Sequence, residues 1–186
     1  MDDRSRLFEI IRDRSFRQGG RFTLVSGRTS TIYFNLKPAM LDPDGARLIG
    51  AALAGKAAAL GATCISGLEM GAVPLVTAAA AMSAVAENPL RACFIRKQAK
   101  DHGTKSLIEG LAEGEDMAGQ SVVVVEDVTT TGGSAIKAIA ILREAGATVE
   151  HAVTVVDREE GAAEAFAEAG ITLHALYCKS DFAADI

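Results

Sequence analysis

An α/β fold with a mostly parallel central sheet flanked by helices is what this sequence of 186 residues predicts, and three observations carry the prediction. Short β-prone runs at 63–66, 92–95, 122–125, 149–156 and 171–177 alternate with alanine-rich stretches near 71–84, 134–145 and 159–169. Strands alternating with helices in this way are the pattern of βαβ units. The run Val122 to Val125 has no polar face, which suits a central strand covered on both sides. Punctuation agrees: Asp42-Pro43 offers a helix N-cap followed by proline at the first helical position, and Gly61 stops that helix after Leu60.

Before that helix, residues 1–16 interleave charges with apolar residues and read as an amphipathic helix, without the apolar core of a signal peptide. Residues 21–35 read as two strands about a Ser26-Gly27-Arg28 turn. The stretch 96–119 is long, polar and glycine-containing, and loops of such length in a compact domain are usually functional. No repeat, low-complexity tract or linker is visible. The expectation is one domain over 1–186, with a helix and hairpin at 1–40 added to an α/β core at 41–186.

Composition excludes several classes. The chain is 49% hydrophobic and 23% charged, and at this size it buries roughly 70% of its unfolded surface without disulfides or a structural metal. Cys64, Cys93 and Cys178 are odd in number and lack zinc spacing, which reads as small core residues in a reducing, cytoplasmic setting. The longest weakly polar stretch, 73–86, falls short of the roughly 20 apolar residues of a membrane span. A net charge of −5 argues against sequence-independent nucleic-acid binding, so any anionic ligand must be met locally.

Such a place exists after the buried strand. Val122–Val125 runs into Glu126-Asp127, then Val128-Thr129-Thr130-Thr131-Gly132-Gly133-Ser134, then a helix. Free N–H groups at a helix N-terminus beside three threonines make a phosphate cradle. Neither a Walker loop nor a dinucleotide fingerprint is present. Carboxylates would repel a phosphate, so two acids ahead of the cradle make sense if they hold sugar hydroxyls, a metal or a developing positive charge. A ribose phosphate supplies that combination.

This segment resembles the phosphoribosyl-diphosphate (PRPP) signature of type I phosphoribosyltransferases. The resemblance implies that Glu126 and Asp127 hold the ribose hydroxyls, Asp127 serving catalysis, while Val128, Thr129, Thr130, Thr131, Gly132, Gly133 and Ser134 wrap the 5′-phosphate. Thr129 departs from the family's usual aliphatic residue. A second segment, Arg96-Lys97-Gln98-Ala99-Lys100-Asp101-His102-Gly103-Thr104-Lys105, gathers basic residues in an otherwise acidic chain, as a lid closing on a pyrophosphate would. It resembles the mobile loop of the orotate branch, which implies that Arg96, Lys97, Lys100 and His102 bind PRPP, that Lys100 and His102 assist departure of pyrophosphate, and that loop 96–119 completes the site of a neighbouring subunit in a homodimer.

Three further segments resemble the same branch. Ser26 to Phe34 is similar to its N-terminal hood, Gly67-Leu68-Glu69-Met70-Gly71 to its pyrophosphate loop, and Asp157-Arg158-Glu159-Glu160-Gly161 to the segment that receives orotate. Orotate is therefore expected at Tyr33, Phe34, Thr130 and Arg158, whose planar fork suits a carboxylate. Val25 and Met70 stand where many members carry lysine, so Lys97, Lys100 and a Mg²⁺ ion, held mainly by PRPP, are expected to carry more of the charge. The implied reaction is transfer of phosphoribose from PRPP to orotate. A phosphoribosyltransferase for another base and a non-catalytic PRPP-sensing regulator of the same fold remain alternatives. His151 and His174 lack ligand partners in sequence and read as packing residues, as do Tyr177 and Phe182 at the C-terminal end.

Overall fold

Asp2 ends the chain's first extended residues by accepting the Ser5 N–H at 2.8 Å, which caps α1 (Asp3–Ser15). Phe16 then turns directly into β1 (Phe16–Thr23), antiparallel to β2 (Thr29–Phe34). The hairpin thus begins five residues earlier than the sequence pattern suggests. Phe16 pairs in register with Phe34 and packs on it at 5.2 Å, a long-range contact that local propensity does not show. This computed structural model describes residues 1–23, 29–98 and 106–183, so the expected Ser26-Gly27-Arg28 turn and Val25 lie outside the described residues.

A short α2 (Lys37–Met40) leads to α3 (Pro43–Ala59), whose first turn Asp42 caps by accepting from the Asp44 and Gly45 N–H groups. There follow β3 (Cys64–Ser66), α4 (Ala72–Val85), β4 (Arg91–Ala92), β5 (Phe94–Ile95), β6 (Ile108–Glu109), β7 (Ser121–Thr129), α5 (Gly133–Glu144), β8 (Thr148–Asp157), α6 (Ala162–Glu168), β9 (Thr172–Cys178) and α7 (Lys179–Ala183). The central sheet is parallel throughout, in the order β4-β3-β7-β8-β9. The chain enters at β3, steps outward to β4 and returns to β7 on the other side of β3. That reversal opens a crevice at the carboxyl ends of β3 and β7, where ligands of open α/β sheets bind.

The sheet separates two cores. Val123, Val125, Val153 and Val155 face α1, α3 and α4, whereas Val122, Val124 and Val149 face α5 and α6. The even spread of these valines over both faces explains why their run shows no alternation. Around Phe182 the rings of Phe8, Phe16, Phe34 and Tyr177 gather with centroids 4.6 to 6.0 Å apart. This cluster holds the N-terminal helix and hairpin onto the core, and the Tyr177 hydroxyl donates to the Arg4 carbonyl at 2.7 Å.

Two sequence expectations change. The single strand expected at 92–95 is split: β4 belongs to the central sheet, while β5 pairs antiparallel with β6 and keeps only a parallel bridge from Ile95 to Leu68 beyond the end of β3. The stretch 96–119 is accordingly not a plain loop but includes the return strand of a hairpin. Cys64 and Cys93 are buried with free thiols, Sγ atoms 3.9 Å apart, and Cys178 is half-buried. His151 and His174 lie on neighbouring strands with ring nitrogens 3.4 Å apart. No helix among the described residues is long and apolar enough to cross a membrane.

Candidate active site

β7 does not stop at its valines but continues through Glu126, Asp127, Val128 and Thr129 before the turn. Successive side chains of a strand point to opposite faces, so the two acids diverge. Asp127 reaches over the start of α4. A Cβ built on Gly71 would lie 2.8 Å from its Oδ1, so a glycine there is what leaves room for the carboxylate. Glu126 turns the other way and accepts from the buried Thr129 hydroxyl at 3.1 Å. Burial pushes the Glu126 carboxyl up to about 7; the Thr129 hydrogen bond opposes that rise and the neighbouring Asp127 charge adds to it.

Beyond Thr129 the chain turns through Gly132, which caps α5 with φ +76°. A Cβ on Gly132 would also meet the Phe166 ring at 2.6 Å, so backbone and packing both demand glycine. Gly133 is different: it is exposed, and nothing lies within 4 Å of where its Cβ would be. No side chain caps α5. Thr130, Thr131 and Ser134 make no side-chain hydrogen bond to another described residue. The first turn of a 12-residue helix therefore presents its N–H groups, with the favourable end of its dipole, to open space beside two carboxylates.

Opposite this turn, residues 67–71 extend from β3 and tie to β5. The Ile95 N–H donates to the Gly67 carbonyl and the Glu69 N–H to the Ile95 carbonyl, each at 2.8 Å. The Glu69 side chain then accepts the Lys97 N–H at 2.9 Å. Lys97 thus roots the basic segment directly against the loop. Arg96 stays near the stem, with its N–H on the Leu107 carbonyl at 2.8 Å and its guanidinium 3.6 Å from Glu109. Lys100 and His102 lie outside the described residues.

The turn after β8 carries the arginine. Arg158 is 3% exposed, donates its backbone N–H to the Thr129 carbonyl at 2.9 Å and so sits beside the first turn. Its side chain reaches β2. Of the expected aromatic pair only Tyr33 is at the surface, stacked on Phe22 at 5.2 Å. Phe34 corrects the expectation, since it is buried against Phe16 and Phe182. Adjacent strand residues cannot both face one pocket, and Phe34 serves the core. Thr129 is buried, with its hydroxyl donating to Glu126 at 3.1 Å.

Comparison with known proteins decides the family. Residues 44–169 match the model of the phosphoribosyl transferase domain. An orotate phosphoribosyltransferase of Rhodopseudomonas palustris (strain BisB5) is 55% identical over 179 residues, spanning 96% of this chain and 95% of that one. The chain belongs to the orotate phosphoribosyltransferase family. A Sorangium cellulosum relative of the same name is 40% identical over 98% of this chain and 94% of that one. The crystal structure of the Mycobacterium tuberculosis orotate phosphoribosyltransferase in complex with PRPP superposes with a TM-score of 0.79 at 34% identity, covering 98% of this chain and 99% of that one. An adenine phosphoribosyltransferase from Leishmania donovani shares the fold, with a TM-score of 0.66 at 18% identity over 97% and 83% of the two chains.

Within this phosphoribosyltransferase fold, two positions are not reachable from the sequence: Glu69 as the tie between two loops and Gly71 as the floor beneath Asp127 both depend on elements distant in sequence. A salt bridge of Arg158 with Glu159 or Glu160 is the alternative that sequence proximity offers, and the structure selects Glu160. The resemblance of Gly67-x-x-x-Gly71 to the pyrophosphate loop does not tell which side chain approaches it; the structure shows Asp127 there.

Proposed function

We propose that the chain transfers the 5-phosphoribosyl group of PRPP to orotate, giving orotidine 5′-monophosphate and pyrophosphate. The observation that carries this reading is the uncapped, glycine-opened N-terminus of α5 following directly on Glu126 and Asp127 at the sheet's switch point. The 5′-phosphate lies on the N–H groups of Gly133 and Ser134 with the hydroxyls of Thr130 and Thr131, and the carboxylates hold the ribose. As the bond from the anomeric carbon to pyrophosphate breaks and the bond to the orotate nitrogen forms, the sugar gains positive charge, which Glu126 and Asp127 stabilise. Lys97, Lys100 and His102 meet the leaving pyrophosphate, Arg158 the orotate carboxylate, and Tyr33 the base. Orotate's charge sits on its carboxylate, so the ring nitrogen that attacks sheds its own proton, to the departing pyrophosphate or to water, as the new bond forms.

Among the described residues no group of three or more His, Cys, Asp or Glu could hold a metal ion. Two carboxylates beside a diphosphate nonetheless fit Mg²⁺, which typically binds through substrate phosphates, waters and one or two carboxylates. When bound, it neutralises charge on the diphosphate. The chain acts as a homodimer in which segment 96–119 completes the neighbour's site, in the cytoplasm, where the free thiols of Cys64 and Cys93 are at home.

Loss of orotate's near-ultraviolet absorbance with PRPP and Mg²⁺, against omission of each and a Lys100→Ala variant, tests the reaction. Loss that needs all components and fails in the variant is expected; PRPP binding without orotate turnover overturns the reading. Mixing Lys100→Ala with Asp127→Ala should restore part of the activity, and no restoration in proven mixed dimers rejects the shared site.

A further inference from the structure

An arginine with 3% exposure needs a fixed counter-charge, and Arg158 has one two residues away. Its Nε donates to Glu160 Oε1 at 3.0 Å, and its Nη2 lies 2.9 Å from the same oxygen. Nη2 also approaches the Ser30 hydroxyl at 3.3 Å and the Ile32 carbonyl at 3.5 Å, both on β2. The Nε–Nη2 edge of the guanidinium is thereby engaged, whereas none of these bonds uses Nη1. A guanidinium presents five N–H donors in a rigid plane, so fixing one edge fixes the direction of the other.

We propose that Glu160 is a positioning residue for the base's carboxylate: it clamps one edge of Arg158 against β2, so that the Nη1 edge is presented, already oriented, to an incoming anionic base. The inference rests on the proposed function, in which Arg158 receives orotate. Glu160 lies in the turn between β8 and α6, and its side chain is 17% exposed. The same oxygen serves both Nε and Nη2, so the pair behaves as one plate rather than two independent side chains. A free arginine would have to lose its rotamer freedom on each binding event, a cost that a clamped one has already met on folding. The contact to Ser30 and Ile32 gives the clamp a second effect, because the hairpin strand that flanks the base docks on the same nitrogen.

Steady-state kinetics of the full chain with PRPP, Mg²⁺ and orotate distinguish this from a merely structural role. E160Q keeps the shape and removes the charge. Its KM for orotate should rise about tenfold, while kcat and the KM for PRPP stay within about twofold. In an R158Q background E160Q should add nothing to the orotate KM, because it acts through Arg158. Should E160Q fail to fold, E160D carries the same test, keeping the charge but shortening the reach. An unaltered chain active on orotate whose E160Q variant keeps the orotate KM within twofold, or whose effects add to those of R158Q, overturns the clamp and leaves the proposed function standing. A folded wild-type chain that binds PRPP but never consumes orotate overturns both.

Discussion

Two consecutive strand-to-helix turns of the sheet share one backbone plan and differ in how they spend their polar groups. β7 ends at Thr129 and reaches α5 through Gly132 at φ +76°; β8 ends at Asp157 and reaches α6 through Gly161 at φ +96°. Neither helix has a side-chain cap. In the second turn the side chains satisfy one another: Arg158 is held by Glu160, the Glu159 N–H donates to Asp157 Oδ1 at 2.9 Å, and the Glu159 carboxylate accepts both from the Ser180 N–H at 2.8 Å and from its hydroxyl at 3.1 Å. In the first turn Thr129 pairs with Glu126, whereas Thr130, Thr131 and Ser134 make no side-chain hydrogen bond to another described residue. The fold repeats a geometry, and the side chains decide which copy leaves its helix N-terminus unpartnered and which is braced by internal bonds.

The comparison breaks most visibly if the first turn proves as structural as the second. Asp127→Asn should lower kcat by about 10²–10³-fold, the range for loss of one group that stabilises transition-state charge, with the fold intact by circular dichroism. An unchanged kcat would move Asp127 out of the chemistry.

The adjacent glycines sharpen the contrast further. Gly132→Ala places a Cβ in the left-handed region and against Phe166, and should cost about 1–3 kcal/mol in denaturant unfolding. Gly133→Ala meets nothing within 4 Å and lies in the first turn of a helix, so stability should hold or rise by up to about 1 kcal/mol. The KM for PRPP should nevertheless rise several-fold. Destabilisation by Gly133→Ala without an effect on PRPP would reassign that glycine to scaffolding.

Glu126 links the two readings through pH. Its carboxyl is raised to about 7 in the folded chain from an ordinary value of 4.5. The folded state therefore holds the proton more tightly, so the stability it contributes is full below 4.5 and declines as pH rises to about 7. Glu126→Gln, neutral throughout, should be more stable than the parent above pH 7 by on the order of 1–3 kcal/mol, with the gap closing towards pH 4.5. In the proposed reaction the ionised Glu126 holds the ribose, so activity should have the opposite slope: kcat/KM for PRPP should fall below about pH 7. Thr129→Val, which removes the donor to Glu126, should move that limb upward by about 0.5–1 pH unit.

The smallest effect belongs to the second turn. Glu159 is exposed at φ +56°, and Glu159→Gly relieves that conformation while losing the contacts to Ser180. Stability should change by less than about 1 kcal/mol in thermal unfolding, and PRPP kinetics not at all. A large loss of activity would show that the brace reaches the chemistry.

Local chemistry made much of this legible. Val122–Val125 without a polar face, Asp42-Pro43 before a helix and a Thr/Gly turn after two acids are short-range statements, and each has the structure it implies. Strand ends were less legible, because pairing partners decide them: β7 continues to Thr129 alongside Asp157 of β8, and Phe16 leaves its helix to pair with Phe34. The resemblance implies a base contact at Phe34, but a sequence shows that an aromatic is present and not which side of its strand is covered. By itself the sequence determined the α/β class, the order of its main strands and helices, and the acid-acid-Thr/Gly segment that links a buried strand to a helix, since those follow from side-chain type and spacing along one strand and turn. Only the tertiary structure decided that β3 lies beside β7, that Asp127 lies over Gly71, that Thr129 faces Glu126 and that Glu160 grips Arg158 against β2. Those are choices of neighbour, made by which surfaces the folded chain buries together.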